Sequence, residues 1–159
     1  MTQSTRLEAP ADRAAIEAAI PHREPFLLVD EVLEAQDERI VTRWTVPADA
    51  DWFRGHYPGQ PVTPGVLLCE HALQSGALLV SRALAGFDAG DGVPVVTKLE
   101  GARFRRMVLP GETVETEVKL VERLGPAWIL RGVVRCGGKK AVDLSFVLSA
   151  AGAMGRVDR

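Results

Sequence analysis

The spacing of apolar and polar positions changes several times along the chain, and each change marks an element. From Pro10 to Ile20, Ala11, Ala14, Ala15, Ile16, Ala18, Ala19 and Ile20 alternate with Asp12, Arg13 and Glu17, which predicts a short amphipathic helix stopped by Pro21. Phe26 to Leu33 is apolar and β-prone, and Arg39 to Val46 sets Ile40, Thr42, Trp44 and Val46 on one face, so the two predict a hairpin turning at Ala35 to Glu38. A long apolar run, Pro64 to Ala85, reads as a helix hydrophobic on nearly every side and therefore buried. Beyond a Gly/Asp-rich connection at 86–92, a strand is expected over Val93 to Arg106. Three alternating strands then follow, carrying Val114, Thr116, Val118 and Leu120, then Trp128, Leu130, Gly132 and Val134, then Val142, Leu144, Phe146 and Leu148, before a polar tail at 152–159.

The predicted order is short helix, two strands, loop, long helix and four strands. It lacks the βαβ alternation of a parallel sheet. An α+β fold follows, with an antiparallel sheet of about six strands curled around one helix, in a single domain over 1–159 whose first nine residues are flexible. One sheet covers one side of a helix, so a second subunit is expected to bury part of the rest.

The loop before the helix, Gly55 to Gly65, holds Pro58, Pro61, Pro64, Gly55, Gly59 and Gly65 within eleven residues. Prolines fix φ and glycines permit positive φ, so this loop is expected to hold a shape around His56. Thr63 reads as an N-cap and Pro64 as the first helical residue, leaving the N–H groups of Gly65 and Val66 free at the positive end of the helix dipole. Glu70 is the one acidic side chain in the apolar helix. Such a carboxylate must be compensated or shift its pKa upward, as a general acid does.

Composition narrows the function classes. The chain has 159 residues, 47% apolar and 25% charged, with 19 basic against 21 acidic side chains and a net charge of −2. This is a globular composition that argues against broad nucleic-acid binding. Two cysteines, Cys69 and Cys136, make a disulfide framework unexpected. No apolar stretch has the length of a membrane span, and the start of the chain lacks the apolar core of a signal peptide, so a cytoplasmic protein off the membrane is expected.

Three blocks then carry a specific resemblance: Pro21-His22-Arg23-Glu24-Pro25-Phe26-Leu27-Leu28-Val29-Asp30, the loop Gly55 to Leu67 with Glu70 and Gln74, and Ala102 to Glu112. Together they resemble the (3R)-hydroxyacyl-acyl-carrier-protein dehydratases of type II fatty acid synthesis. The resemblance implies a hot-dog fold, a homodimer or trimer of dimers (a homohexamer), acyl carrier protein as partner, and no metal or organic cofactor. It implies His56 as the base for the α-proton and Glu70 of the neighbouring subunit as the acid for the β-hydroxyl. Val62 would orient the imidazole through its carbonyl, the Gly65 N–H would bind the thioester oxygen, and Gln74 would hold Glu70. The glutamate, where the isomerising branch carries aspartate, implies dehydration alone. Phe53, Tyr57 and Phe104 read as core or tunnel-wall residues. Arg103, Arg105 and Arg106 read either as a solvated strand end or as a contact for an acidic carrier or its phosphate.

His71, Thr63 and Gly101 depart from the family's usual residues, which leaves chain length and pathway open, including a specialised acyl or polyketide route. His71, His22 and Cys69 read as structural: His71 has no second ligand at i+4, His22 sits in a turn, and Cys69 has no base in its own helical turn. Two rival functions share the fold: a hot-dog thioesterase, which generally lacks the Gly-His-Tyr-Pro-Gly loop, and a non-catalytic acyl-carrier-binding subunit.

Overall fold

The computed structural model describes residues 6–84 and 94–150. In chain order these form α1 (Arg13–Ala19), β1 (Glu31–Ala35), β2 (Arg39–Thr45), a 3-10 turn (Asp51–Arg54), α2 (Gly65–Ala83), β3 (Pro94–Phe104), β4 (Thr113–Leu124), β5 (Ala127–Cys136) and β6 (Lys139–Ala150). The strands make one antiparallel sheet in the order β1-β2-β4-β5-β6-β3. Its concave face holds α2, the α+β hot-dog arrangement expected from the sequence.

Period-two alternation produces that face. Ile40 and Trp44 of β2, Val114 and Val118 of β4, Leu130 and Val134 of β5, and Leu144 and Phe146 of β6 are all buried against the helix. Helix and sheet approach closely where side chains are missing. A Cβ on Gly76 of α2 would stand 2.6 Å from the Phe146 ring, and one on Gly132 of β5 would stand 3.3 Å from the Cβ of Ala72. The 19 residues of α2 are mostly buried from Leu68 to Arg82.

Several boundaries differ from the sequence expectation. β1 begins at Glu31 rather than Phe26, because the backbone of 26–28 is claimed by side chains of α2. The Leu28 N–H donates to Gln74 Oε1 at 2.8 Å, the Leu28 carbonyl is 2.6 Å from His71 Nδ1, and the Phe26 carbonyl accepts from Gln74 Nε2 at 2.8 Å. Backbone groups used in this way cannot join a ladder. The segment crosses the helix as a strap, and sheet pairing starts only after the Asp30 N–H reaches the Arg43 carbonyl at 2.9 Å.

The start of α2 also shifts. Its N-cap is Pro64 rather than Thr63, whose Oγ1 is buried without a partner while its N–H donates to the Val108 carbonyl at 2.8 Å. That strand-like bond draws Thr63 out of the capping position. β3 stops at Phe104, two residues early, after a bulge at Gly101, whose φ is +58°. Residues 6–9, expected to be flexible, are tied down: Leu7 is buried, its carbonyl accepts from Arg82, and Arg82 pairs with Glu8 at 2.9 Å. The connection at 86–92 and the tail at 152–159 lie outside the described residues.

Among the described residues, two surfaces are left uncovered. Val66 is 71% exposed, and with Glu70 and Leu73, both partly buried, it forms a stripe at i, i+4 and i+7 along α2. β3 ends the sheet with an unpaired edge and a mostly exposed pattern, including Val96 and Leu99.

Candidate active site

His56 is placed by the turn before it. Its N–H donates to the Trp52 carbonyl at 2.9 Å, which carries the 3-10 turn one residue further, and the Gln60 N–H then returns to the Tyr57 carbonyl at 2.9 Å. The positive φ falls on Tyr57, at +57°, rather than on the loop glycines; Gly55 has φ −118°. Tyr57 lies between these two turns, and a left-handed side-chain residue there is a small store of strain beside the histidine. Its ring packs on the imidazole with centroids 4.7 Å apart. His56 Nδ1 is 2.7 Å from the Val62 carbonyl. A carbonyl can only accept, so Nδ1 carries a proton, and in the neutral ring Nε2 presents its lone pair.

The open side of this imidazole faces a groove of about 850 Å³ lined by His56, Tyr57, Val62, Gly65, Phe104 and the Arg105–Val108 stretch. Gly65 opens α2 at the floor of the groove, where its N–H has no intrahelical partner. The glycine lets the exposed Phe104 ring lie close, since a Cβ at 65 would stand 2.6 Å from that ring. The groove therefore combines an unprotonated imidazole nitrogen, a free N–H at a positive helix end and an aromatic wall. Those parts suit removal of a proton next to a carbonyl whose oxygen gathers negative charge.

Glu70 is elsewhere. It does not line the groove of its own chain but sits among Gln74, His22 and the strap. Gln74 Nε2 donates to Glu70 Oε1 at 2.9 Å and to the Phe26 carbonyl, while its Oε1 accepts from Leu28, so the buried amide uses both ends. His22 Nε2 stands 3.8 Å from Glu70 Oε1. Sequence reading placed His22 in a structural turn and missed this proximity; nothing in local spacing connects position 22 with position 70.

The remaining candidates separate. Arg105 Nε donates to Asp143 Oδ2 at 2.6 Å, and Arg106 bonds Glu112 at 3.2 Å, so both guanidinium groups stand at the groove already paired. The bond from Arg105 holds the Asp143 carboxyl below its usual range, and the Leu109 N–H does the same for Glu112. Arg103 is exposed on β3 and Phe53 packs partly buried against the core; neither lines the groove. Burial, with Glu70 adding to it, pushes the Cys69 thiol up, which suits a core residue rather than a nucleophile. Cys136 is likewise buried and free.

Among the described residues, no three His, Cys, Asp or Glu side chains stand together as a metal site, and no helix is long and apolar enough to cross a membrane.

Residues 20–145 match the model of the FabA-like domain. A 3-hydroxyacyl-acyl-carrier-protein dehydratase FabZ from Anaeromyxobacter dehalogenans is 37% identical over 152 residues, 95% of this chain and 97% of the relative. The FabZ of Granulibacter bethesdensis is 42% identical over 136 residues, 85% of this chain and 79% of the relative. Among solved structures, the dehydratase heterocomplex ApeI:P from Xenorhabdus doucetiae superposes with a TM-score of 0.69 at 15% identity, covering 85% of this chain and 90% of that one. A hypothetical thioesterase from Streptococcus pneumoniae superposes at 0.59 and 12% identity, covering 76% and 84%, a likeness of fold alone. By its matched domain and by relatives aligned along nearly its whole length, the chain belongs to the FabA-like family of 3-hydroxyacyl-acyl-carrier-protein dehydratases.

Proposed function

We propose that this chain dehydrates (3R)-hydroxyacyl thioesters borne on acyl carrier protein to trans-2-enoyl thioesters, with His56 as base and Glu70 as acid. The observation that carries the reading is the bond between His56 Nδ1 and the Val62 carbonyl, which commits Nε2 to accept a proton. The imidazole removes the α-proton, and negative charge moves onto the thioester oxygen near the Gly65 N–H. Glu70 protonates the departing hydroxyl, which leaves as water. Two groups share the work because one must begin without a proton and the other with one.

The working unit in this reading is a homodimer, in which Glu70 of one subunit completes the groove of the other; further assembly to a hexamer is compatible with it. Support comes from the separation of Glu70 from the His56 groove within one chain. The uncovered stripe of Val66, Glu70 and Leu73 and the free β3 edge support it as well. Arg105 and Arg106 line the groove, each held by one carboxylate, with N–H groups left over that suit an acidic carrier or the phosphate of its arm, while Arg103 stands exposed on β3 outside the groove. The buried free cysteines are compatible with a cytoplasmic setting.

The test offers a 3-hydroxyacyl thioester and follows enoyl absorbance and free thiol together. Enoyl should form in the wild type, and its rate should fall by about 10²- to 10⁴-fold in His56→Ala and in Glu70→Gln. Thiol release without enoyl would instead mean a thioesterase. Mixing the two variants should restore part of the activity, and no recovery in verified heterodimers would overturn the shared site.

A further inference from the structure

Resting on the reading of Glu70 as the acid, one question of proton balance remains. Each dehydration leaves one proton on His56 and removes one from Glu70, which needs another before the next turnover. Gln74 cannot supply it, since an amide donates a hydrogen bond without releasing the proton.

His22 is the titratable side chain that faces Glu70. It lies between α1 and the strap, in a turn held by Arg23, whose guanidinium donates to the Ile20 carbonyl at 2.8 Å and the His22 carbonyl at 2.7 Å. In the single chain the side chain is 28% exposed and its Nδ1 is sealed without a partner, which leaves Nε2 as the ring nitrogen available for exchange. That atom stands 3.8 Å from Glu70 Oε1, too far for a direct hydrogen bond but close enough for one water or a small rotation to close the gap.

We propose that His22 is the proton relay for Glu70, taking a proton from solvent at Nε2 after each turnover and passing it to Glu70 Oε1. The balance is complete without a further reactant. Solvent or a buffer acid gives one proton to Nε2, that N–H bond breaks as the Glu70 O–H bond forms, and His56 returns its own proton to solvent. The local charges drive the cycle in the right order. Burial lowers the His22 pKa, the Glu70 carboxylate raises it, and the Arg23 cation lowers it further. When Glu70 has just lost its proton, its charge favours capture by His22; once Glu70 is neutral that attraction is gone, and burial returns the imidazole to its neutral form. His22 acts on the reaction only through Glu70.

The assay compares wild type with His22→Gln and His22→Asn, in the assembled enzyme. A single turnover with enzyme in excess uses the proton already on Glu70, so its rate should stay close to wild type. Steady-state kcat in dilute buffer should fall by about tenfold with KM unchanged, and added imidazole should restore kcat along a saturating curve. Single-turnover rates that fall together with kcat, or a low kcat that imidazole leaves low, would show that His22 merely holds the turn. An unchanged kcat would also overturn the relay. A wild type that forms no enoyl removes the dehydratase reading itself, before any variant is compared.

Discussion

Lowering the pH should weaken the fold through His71, a histidine the reaction does not use. The ring is fully buried on α2, with Nδ1 bonded to the Leu28 carbonyl at 2.6 Å, Nε2 sealed without a partner, and Trp44 packed 5.8 Å away. Burial pushes its pKa down from 6.5 to about 4, against a smaller opposing effect of the Leu28 bond. The folded chain therefore keeps His71 neutral where the unfolded chain binds a proton. This contribution to stability is complete above pH 6.5 and is lost as the pH falls toward about 4. At about 1.4 kcal/mol per pH unit the whole window is worth about 3 kcal/mol, and about 2 kcal/mol should be gone by about pH 5. Urea unfolding at a fixed protein concentration, at about pH 7.5 and about pH 5, measures the loss in wild type and in His71→Asn, which keeps an N–H donor but cannot titrate. His22, whose pKa burial also lowers, remains in both proteins and cancels in the comparison. The wild type should lose about 2 kcal/mol more than the variant over that interval. Equal losses would refute the assignment of the acid sensitivity to His71.

Two substitutions test the start of α2. Gly65→Ala places a Cβ 2.6 Å from the Phe104 ring and must push that exposed ring aside. The fold should survive, while kcat/KM falls between about ten- and a hundredfold because the groove wall and the helix end no longer meet as they do. Thr63→Val removes a buried hydroxyl that has no partner. Thermal and urea unfolding should show unchanged stability or a gain of up to about 1 kcal/mol, and a loss above that would mean the hydroxyl is bonded in solution.

The positions of the sequence candidates show how far local information reaches. The alternation in β2, β4, β5 and β6 was readable because each strand faces the helix on one side only, and period two records that directly. The long helix was readable because its side chains are apolar around the circumference. The His56 loop was readable from its prolines and glycines, although which residue takes the left-handed conformation was not. That choice falls on Tyr57, between two turns whose partners lie outside the dipeptide.

What the amino-acid sequence determined by itself is therefore the set of elements and their order. These follow from period, turn chemistry and spacing, all of which act over a few residues. The tertiary structure alone decided where distant groups compete for the same backbone and which side chains converge. The strap at 26–30 is not a strand because His71 and Gln74, more than forty residues on, take its hydrogen bonds. Thr63 is not a cap because Val108 takes its N–H into a strand-like bond. His22 becomes a neighbour of Glu70 only when the turn after α1 is laid against α2. Hydrogen-bond competition and side-chain convergence depend on distances through space, and a linear pattern does not contain them.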